Sequence, residues 1–282
     1  MKKFFSMFFF VLLLLYTAIP TYAANMQIKV DGVTVLSDAK PEIRNNRTMV
    51  PLRVVSESLG ADVQWSNSEI ILTKDNMQIK LKPNSNTVIK NGETVQIDVK
   101  PYIKNGRTFV PIRFIAETFD CNVDYKHSTV TVETKKLMIN NKQVSAIQNE
   151  IHMTMGGIVQ QVYGNAYIHG IYDVFTKNKG NKVEAPANYS SQYNLDIPGS
   201  YYKEDQNDFL DLEGKSIQRF DTYILVKAFP AETLEGYPEH LIHDVTKDEW
   251  HIFSNASLQA IDDLFHNANR HGFLKRISNT VQ

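Results

Sequence analysis

One segment of this chain occurs twice, sixty residues apart, so the fold must place the same pattern at two positions. Asp38-Ala-Lys-Pro-Glu-Ile-Arg-Asn-Asn-Arg-Thr-Met-Val-Pro-Leu-Arg53 returns as Asp98-Val-Lys-Pro-Tyr-Ile-Lys-Asn-Gly-Arg-Thr-Phe-Val-Pro-Ile-Arg113. The register holds on both sides: Asp31-Gly32 overlies Asn91-Gly92, Glu57 overlies Glu117, and Trp65 overlies Tyr125. A strict period of this kind marks a supersecondary unit, duplicated and packed against its copy.

Each copy opens with a hairpin signal, since Asp-Gly and Asn-Gly accept the positive φ of a tight primed turn. Arg47-Thr-Met-Val50 and its counterpart read as strands entered through turns at Asn45-Asn46 and Asn105-Gly106. Pro51 sits where a helix begins, because its missing amide hydrogen is not needed in the first turn. Leu52, Val55 and Leu59, matched by Ile112, Ile115 and Phe119, give that short helix one apolar face. Gly60 ends the first helix in a left-handed conformation, and Asp120 takes its place in the second copy at some strain. Arg53 with Glu57, and Arg113 with Glu117, stand one helical turn apart and read as surface ion pairs. Strands follow at Val63–Trp65 and Glu69–Thr73 and at their counterparts. Cys121 replaces Ala61, which makes it a small buried group, not a nucleophile.

The pattern Asp-Gly, Lys-Pro-x-Ile-x-Asn-x-Arg-Thr-x-Val-Pro-[Leu/Ile]-Arg, short helix, Gly60 and Val63-Gln-Trp65 resembles the copper amine oxidase N-terminal (stalk) domain over about residues 27 to 135. The resemblance implies a projecting, non-catalytic module of the kind carried in tandem by secreted and envelope proteins of Gram-positive bacteria. It does not bring copper, the quinone cofactor or amine oxidation with it. The string nearest to the family's quinone-forming motif is Asn188-Tyr189-Ser190, which lacks the Thr three residues before the Asn and the acid after the Tyr. No cofactor is expected.

Lys2-Lys3, the apolar run from Phe4 to Ile19, Pro20 and the small-residue stretch ending at Ala23-Ala24 read as a secretory signal over residues 1–24. The expected location is therefore secreted or extracellular, cell-wall association being one form of it. No stable membrane insertion is expected after cleavage. A formal net charge of -1 makes no electrostatic case for nucleic acid as a partner. A single cysteine excludes an internal disulfide framework. The expected organisation is α+β throughout: a duplicated strand-helix-strand domain with small antiparallel sheets at 25–136 (repeats about 27–75 and 86–135), then a second α+β domain at 137–282.

Beyond Lys136 the period stops. Met138–Val144 resembles the opening hairpins and is expected to add a last strand to the module. Val144, Ile147, Ile151, Met155, Ile158, Val162 and Ala166 recur at steps of three and four and predict a helical face, divided by glycines. Residues 177–216 read as long loops, in which Tyr189, Tyr193, Tyr201 and Tyr202 are candidates for ligand contact through flat apolar rings and hydroxyls. Strands are expected at Asp221–Phe229 and Glu249–Phe253, followed by a helix capped by Ser254 or Asn255 with Leu258, Ile261, Leu264, Phe265 and Ala268 as its stripe. His240, His243 and His251 are the metal candidates. The first two share one side of a helix but opposite faces of a strand, and composition does not choose between these.

No nucleophile elbow, phosphate loop or cysteine-histidine pairing singles out a catalytic residue. The leading expectation is thus a secreted, non-enzymatic protein whose module is a spacer or adhesion unit and whose rear domain binds a cell-wall polymer or an extracellular protein. The alternatives are a secreted hydrolase acting on wall polymer or peptide, and a secreted toxin or inhibitor.

Overall fold

A computed structural model describes residues 26–281 except residue 75, so the signal expected at residues 1–24 lies outside the described residues. The first copy contains β1 (Gln27–Val30), β2 (Val33–Thr34), β3 (Glu42–Arg44), β4 (Arg47–Pro51), α1 (Leu52–Ser58), β5 (Asp62–Ser66) and β6 (Glu69–Lys74). After the connecting β7 (Met77–Leu81), the second copy repeats the order as β8 (Thr87–Lys90), β9 (Glu93–Gln96), β10 (Tyr102–Lys104), β11 (Arg107–Pro111), α2 (Ile112–Thr118), β12 (Asn122–Lys126) and β13 (Thr129–Glu133). Pro51 and Pro111 cap the two helices in extended conformation, and Gly60 and Asp120 leave them at φ 81° and 55°.

The copies meet along β4 and β11, which pair antiparallel with Val50 opposite Val110. Those valines hold matched positions, so the pair lies on a local two-fold axis, and both are fully buried. Polar contacts recur across the axis. Arg47 reaches Asp98 at 2.5 Å while Arg107 forks onto Asp38, and Glu42 takes both Lys104 and the Tyr102 hydroxyl while Arg44 lies 4.3 Å over the Tyr102 ring. Exposed pairs of this type contribute about 0–1 kcal/mol each, whereas burying a valine or leucine contributes about 1.5–3 kcal/mol. The apolar seam therefore supplies the stability, and the charges favour this one register.

Neither copy completes its own sheet. β1 pairs parallel with β13, so the hairpin of the first copy closes the order β12-β13-β1-β2 with the last strands of the second. The equivalent sheet, β5-β6-β7-β8-β9, has β7 inserted between β6 and β8. The third sheet is β10-β11-β4-β3.

The rear part comprises β14 (Met138–Ile139), β15 (Lys142–Gln143), β16 (Ala146–Met153), β17 (Gly156–Val162), α3 (Asn165–Lys177), β18 (Lys182–Val183), β19 (Tyr189–Ser190), β20 (Tyr201–Leu210), β21 (Ser216–Leu225), β22 (His240–Asp244), β23 (Glu249–Ile252), α4 (Asn255–His271) and β24 (Leu274–Asn279). The chain as a whole is α+β, as expected. The rear sheet runs β18-β23-β22-β21-β20-β16-β17-β24, with β19 beside the start of β20. On one face Phe209, Phe220 and Phe253 pack around Phe175 of α3. On the other, Tyr201, Tyr223, Leu225, Leu241 and Trp250 form a separate cluster. α4 begins at Ser254, whose hydroxyl accepts the Ser257 amide at 3.1 Å, and ends at Gly272 in the left-handed region.

Several expectations are corrected. Residues 144–166 form the hairpin β16-β17 and the start of α3, not a helix. Ile147 with Ile151, and Ile158 with Val162, are four apart, a step that keeps one face in a strand as well as in a helix, and the hairpin sets Ile147 against Val162 and Ile151 against Ile158. Met155 lies in the turn and Ala166 belongs to α3. Residues 177–216 are not all loop, because Tyr201–Leu210 is a ten-residue central strand. The strand expected from Asp221 begins at Ser216 and ends at Leu225. β14 and β15 pair only with each other and add no strand to the module.

Module and rear domain share one continuous core containing Val30, Leu59, Phe119, Ile168, Phe175 and Phe273. Asp31, at the first hairpin turn, accepts hydrogen bonds from the Thr134 amide and hydroxyl and from the Asn165 amide, each at 2.8 Å. Its carboxylate thus caps α3, whose own preceding residue, Gly164, has no side chain to do so. Replacing Asp31 by Ala is expected to lower the unfolding free energy by about 1–2 kcal/mol in urea titrations.

Candidate functional site

A concave surface lies where the module meets the end of α4. It is a groove of about 740 Å³ lined by Leu36, Trp65, Ile103, Arg53, Arg107 and Arg270, among others. Trp65 is placed by the edge strand β5 and Ile103 by β10 of the other copy, so the groove is built by the two copies together. Trp65 is 50% exposed and Ile103 54% exposed, an apolar pair left open beside three guanidinium groups. Such a combination suits a ligand with flat apolar faces and anionic or hydroxyl groups.

The floor of the groove is held by a buried polar chain. The Tyr167 hydroxyl lies 2.9 Å from His271 Nδ1, and His271 Nε2 lies 3.2 Å from Glu57 Oε2. Burial opposes ionisation of Glu57, but His271 and Arg53 outweigh it and hold the carboxyl below its ordinary range. Leu36 joins the same point through its amide, which donates to the His271 carbonyl at 3.1 Å. Arg53 reaches Glu57 at 3.2 Å, as its helical spacing predicts, and Arg113 lies 4.0 Å from Glu117. Glu57 nevertheless differs from a simple surface partner, since only 14% of its side chain is exposed and it joins the two domains.

The rear sheet separates the candidate metal ligands. The segment Glu239–Asp244 contains a strand, so His240 and His243 point to opposite faces, and His251, opposite Ile242, shares the face of His240. His243 stacks on Trp250 with centroids 4.3 Å apart and contacts Asp248 at 2.9 Å. His251 Nδ1 lies 3.1 Å from the Gly180 carbonyl. Among the described residues no group of three or more His, Cys, Asp or Glu is arranged to hold a metal ion.

The four tyrosines also divide. Tyr189 sets its edge against Tyr223 and Trp250, and Tyr201 is buried with its hydroxyl donating to the Pro238 carbonyl at 2.7 Å. Burial raises the Tyr201 phenol to about 12. Tyr193 stacks at 4.0 Å on buried Tyr202, on the side of the strand that also carries Glu204. Here the sheet register shifts between Lys203 and Asp205, and Glu204 occupies the bulge. Its Oε2 lies 3.7 Å from His240 Nδ1. Burial, then the neighbouring charges of Asp205 and Asp262, raise Glu204 to about 7, and burial is the main cause that raises Asp205 to about 6. Burial also holds His240 below the usual imidazole range. Trp65, Ile103 and Arg270 do not stand out as site residues in the sequence, although the Trp65/Tyr125 and Ile43/Ile103 matches in the repeat are a signal that points to the first two.

Residues 29–134 match the family described as the copper amine oxidase N-terminal domain. Over 105 residues the chain is 31% identical to the primary amine oxidase of Klebsiella aerogenes, covering 36% of this chain and 14% of that protein. The family match coincides with the duplicated module, bears out the resemblance carried by Arg-Thr-x-Val-Pro-[Leu/Ile]-Arg, and identifies that segment as a non-catalytic stalk-type domain. It ends before β14.

The raised carboxyls set a pH dependence. Folded Glu204 and Asp205 retain protons that the unfolded chain has released, so their contribution to stability is complete below the ordinary carboxylate range and is lost as pH rises through about 6 and about 7. Thermal midpoints are expected to fall between pH 5 and pH 8, and Glu204→Gln is expected to flatten that slope in scanning calorimetry.

Proposed function

We propose that the protein is a secreted, non-enzymatic binding protein of the bacterial envelope, in which the groove beside Trp65 holds a segment of a cell-wall glycan polymer. The observation that carries this reading is the open Trp65–Ile103 pair flanked by Arg53, Arg107 and Arg270. A sugar ring offers a flat C–H face to an indole, and acidic or phosphate groups along a wall polymer offer a partner to Arg270, while Arg53 and Arg107 are engaged by Glu57 and Asp38 at the groove wall.

The local two-fold axis favours a repeating ligand over a single small molecule. It generates a second combination of the same kind, Tyr125 and Ile43 with Arg47 and Arg113, and both apolar side chains are again more than half exposed. Two weak contacts on one polymer reinforce each other through effective concentration, without any new contact. The shared core between module and rear domain holds the groove walls in fixed relation, so little ordering cost is incurred when the ligand docks.

Sedimentation with purified Gram-positive cell walls tests the proposal. Retention of the signal-free protein above that of a control protein of similar charge is expected, with a loss of about tenfold for Trp65→Ala and a further loss for Trp65→Ala combined with Tyr125→Ala. Retention no greater than the control, or unchanged in the double variant, would rule the reading out.

A further inference from the structure

The bulge in β20 brings together carboxyl groups to which the described residues supply one long amide hydrogen bond and no cation. Glu204 and Asp205 lie side by side there, with His240 reaching Glu204 from β22, two strands away across β21, and Asp262 of α4 close enough for its charge to act on both. Asp205 is approached by Asn149 Nδ2 at 3.4 Å, but that amide also donates to Asn207 at 3.1 Å. No lysine or arginine is paired with Glu204, Asp205 or Asp262 among the described residues. Lys227, whose charge acts on His240, is paired with Glu239.

A second, independent observation lies in the hydroxyls. Thr222 sits directly opposite Asp205 in the sheet register, is 3% exposed, and its Oγ1 has no hydrogen-bond partner. The Tyr202 hydroxyl, on a residue 4% exposed, is also unpartnered, and so is His240 Nδ1. Leaving such groups buried and unmatched costs about 1–3 kcal/mol each, a cost that a bound donor would remove. The 34% exposure of the Glu204 side chain, with Tyr193 stacked outside Tyr202, gives a route from solvent.

We propose that this bulge is a binding site for a primary ammonium group, received by the carboxylates of Glu204 and Asp205 together with the Tyr202 and Thr222 hydroxyls. An ammonium carries three N–H donors and no acceptor, which matches a set made of acceptors and rotatable hydroxyls. A divalent cation fits less well. Calcium takes six to eight oxygen ligands, whereas no three acidic or imidazole side chains here are arranged to share an ion. Docking of the ammonium stabilises the ionised carboxylates and drives a proton from Glu204 into solvent. His240, Glu239, Asp262 and the Tyr193 ring surround the site, and burial opposes protonation of His240, whose unpartnered Nδ1 faces Glu204.

The test is calorimetric titration of the full signal-free protein with 1,5-diaminopentane at pH 5 and pH 8, alongside its doubly acetylated form and calcium chloride alone. The expected results are saturable binding of the diamine that is at least about tenfold tighter at pH 8, heats at pH 5 that vary with buffer ionisation enthalpy in the sense of proton release and vary little at pH 8, and no binding of the acetylated form. Glu204→Gln, which keeps the shape of the side chain, is expected to weaken binding about tenfold or more while a cooperative thermal transition is retained. Equal binding of the acetylated form, no diamine binding at pH 8, an unaltered Glu204→Gln variant, or calcium binding with which the diamine does not compete would each overturn the assignment. Because this site lies apart from the Trp65 groove, Trp65→Ala is expected to leave diamine binding unchanged, which keeps the two proposals separable.

Discussion

The pairing of β4 with β11 governs the rest of the front half. Once Val50 lies opposite Val110 in an antiparallel register, matched residues of the two copies are related by a local two-fold axis, and every contact made once must be offered again. Arg47 then finds Asp98 where Arg107 finds Asp38. The same axis carries the opening hairpin of one copy to the closing strands of the other, so β1 completes a sheet with β13. A single copy would leave those edges unpaired, and an unpaired edge is an aggregation hazard.

This exchange also decides how the module meets the rear domain. The turn of the first hairpin arrives beside Thr134 and the start of α3, where Asp31 serves as a cap supplied from another domain. The end of α4 arrives beside α1, where His271 lies between Tyr167 and Glu57. The rear helices approach closely at Gly170, where a Cβ would lie 3.1 Å from the end of the Leu264 side chain. Module and rear domain therefore behave as one packed body. The groove at their junction has walls drawn from both copies and from α4.

The rear sheet shows how one strand can serve two environments. Alternation along β20 to β23 puts Phe220 and Ile242 under the helices and Tyr223 and Trp250 on the opposite face. At Glu204 the alternation is interrupted by one residue, and the chain presents adjacent carboxyl groups toward the helix side in a setting too dry to favour their charge. The residues that looked most chemical in sequence, the histidines, are distributed over both faces by the same alternation, with His243 stacked on Trp250 and His240 beside Glu204.

How much was legible depends on how local each signal is. The turns at Asp31-Gly32 and Asn91-Gly92, the proline starts of α1 and α2, the left-handed exits at Gly60 and Asp120, and the Ser254 cap of α4 are set by neighbouring residues, and each was readable. The hairpin at residues 146–162 was not, because apolar steps of four fit both a helix and a strand and only cross-strand pairing separates them. The amino-acid sequence alone determined the duplicated module, its internal elements and its family resemblance, since a sixty-residue period and short-range turn chemistry need no partner to be expressed. Tertiary structure alone decided the strand exchange, the groove that sets Trp65 near Ile103, and the carboxylate bulge, because each depends on register between segments far apart in the chain, and that register is set by packing and not by adjacent residues.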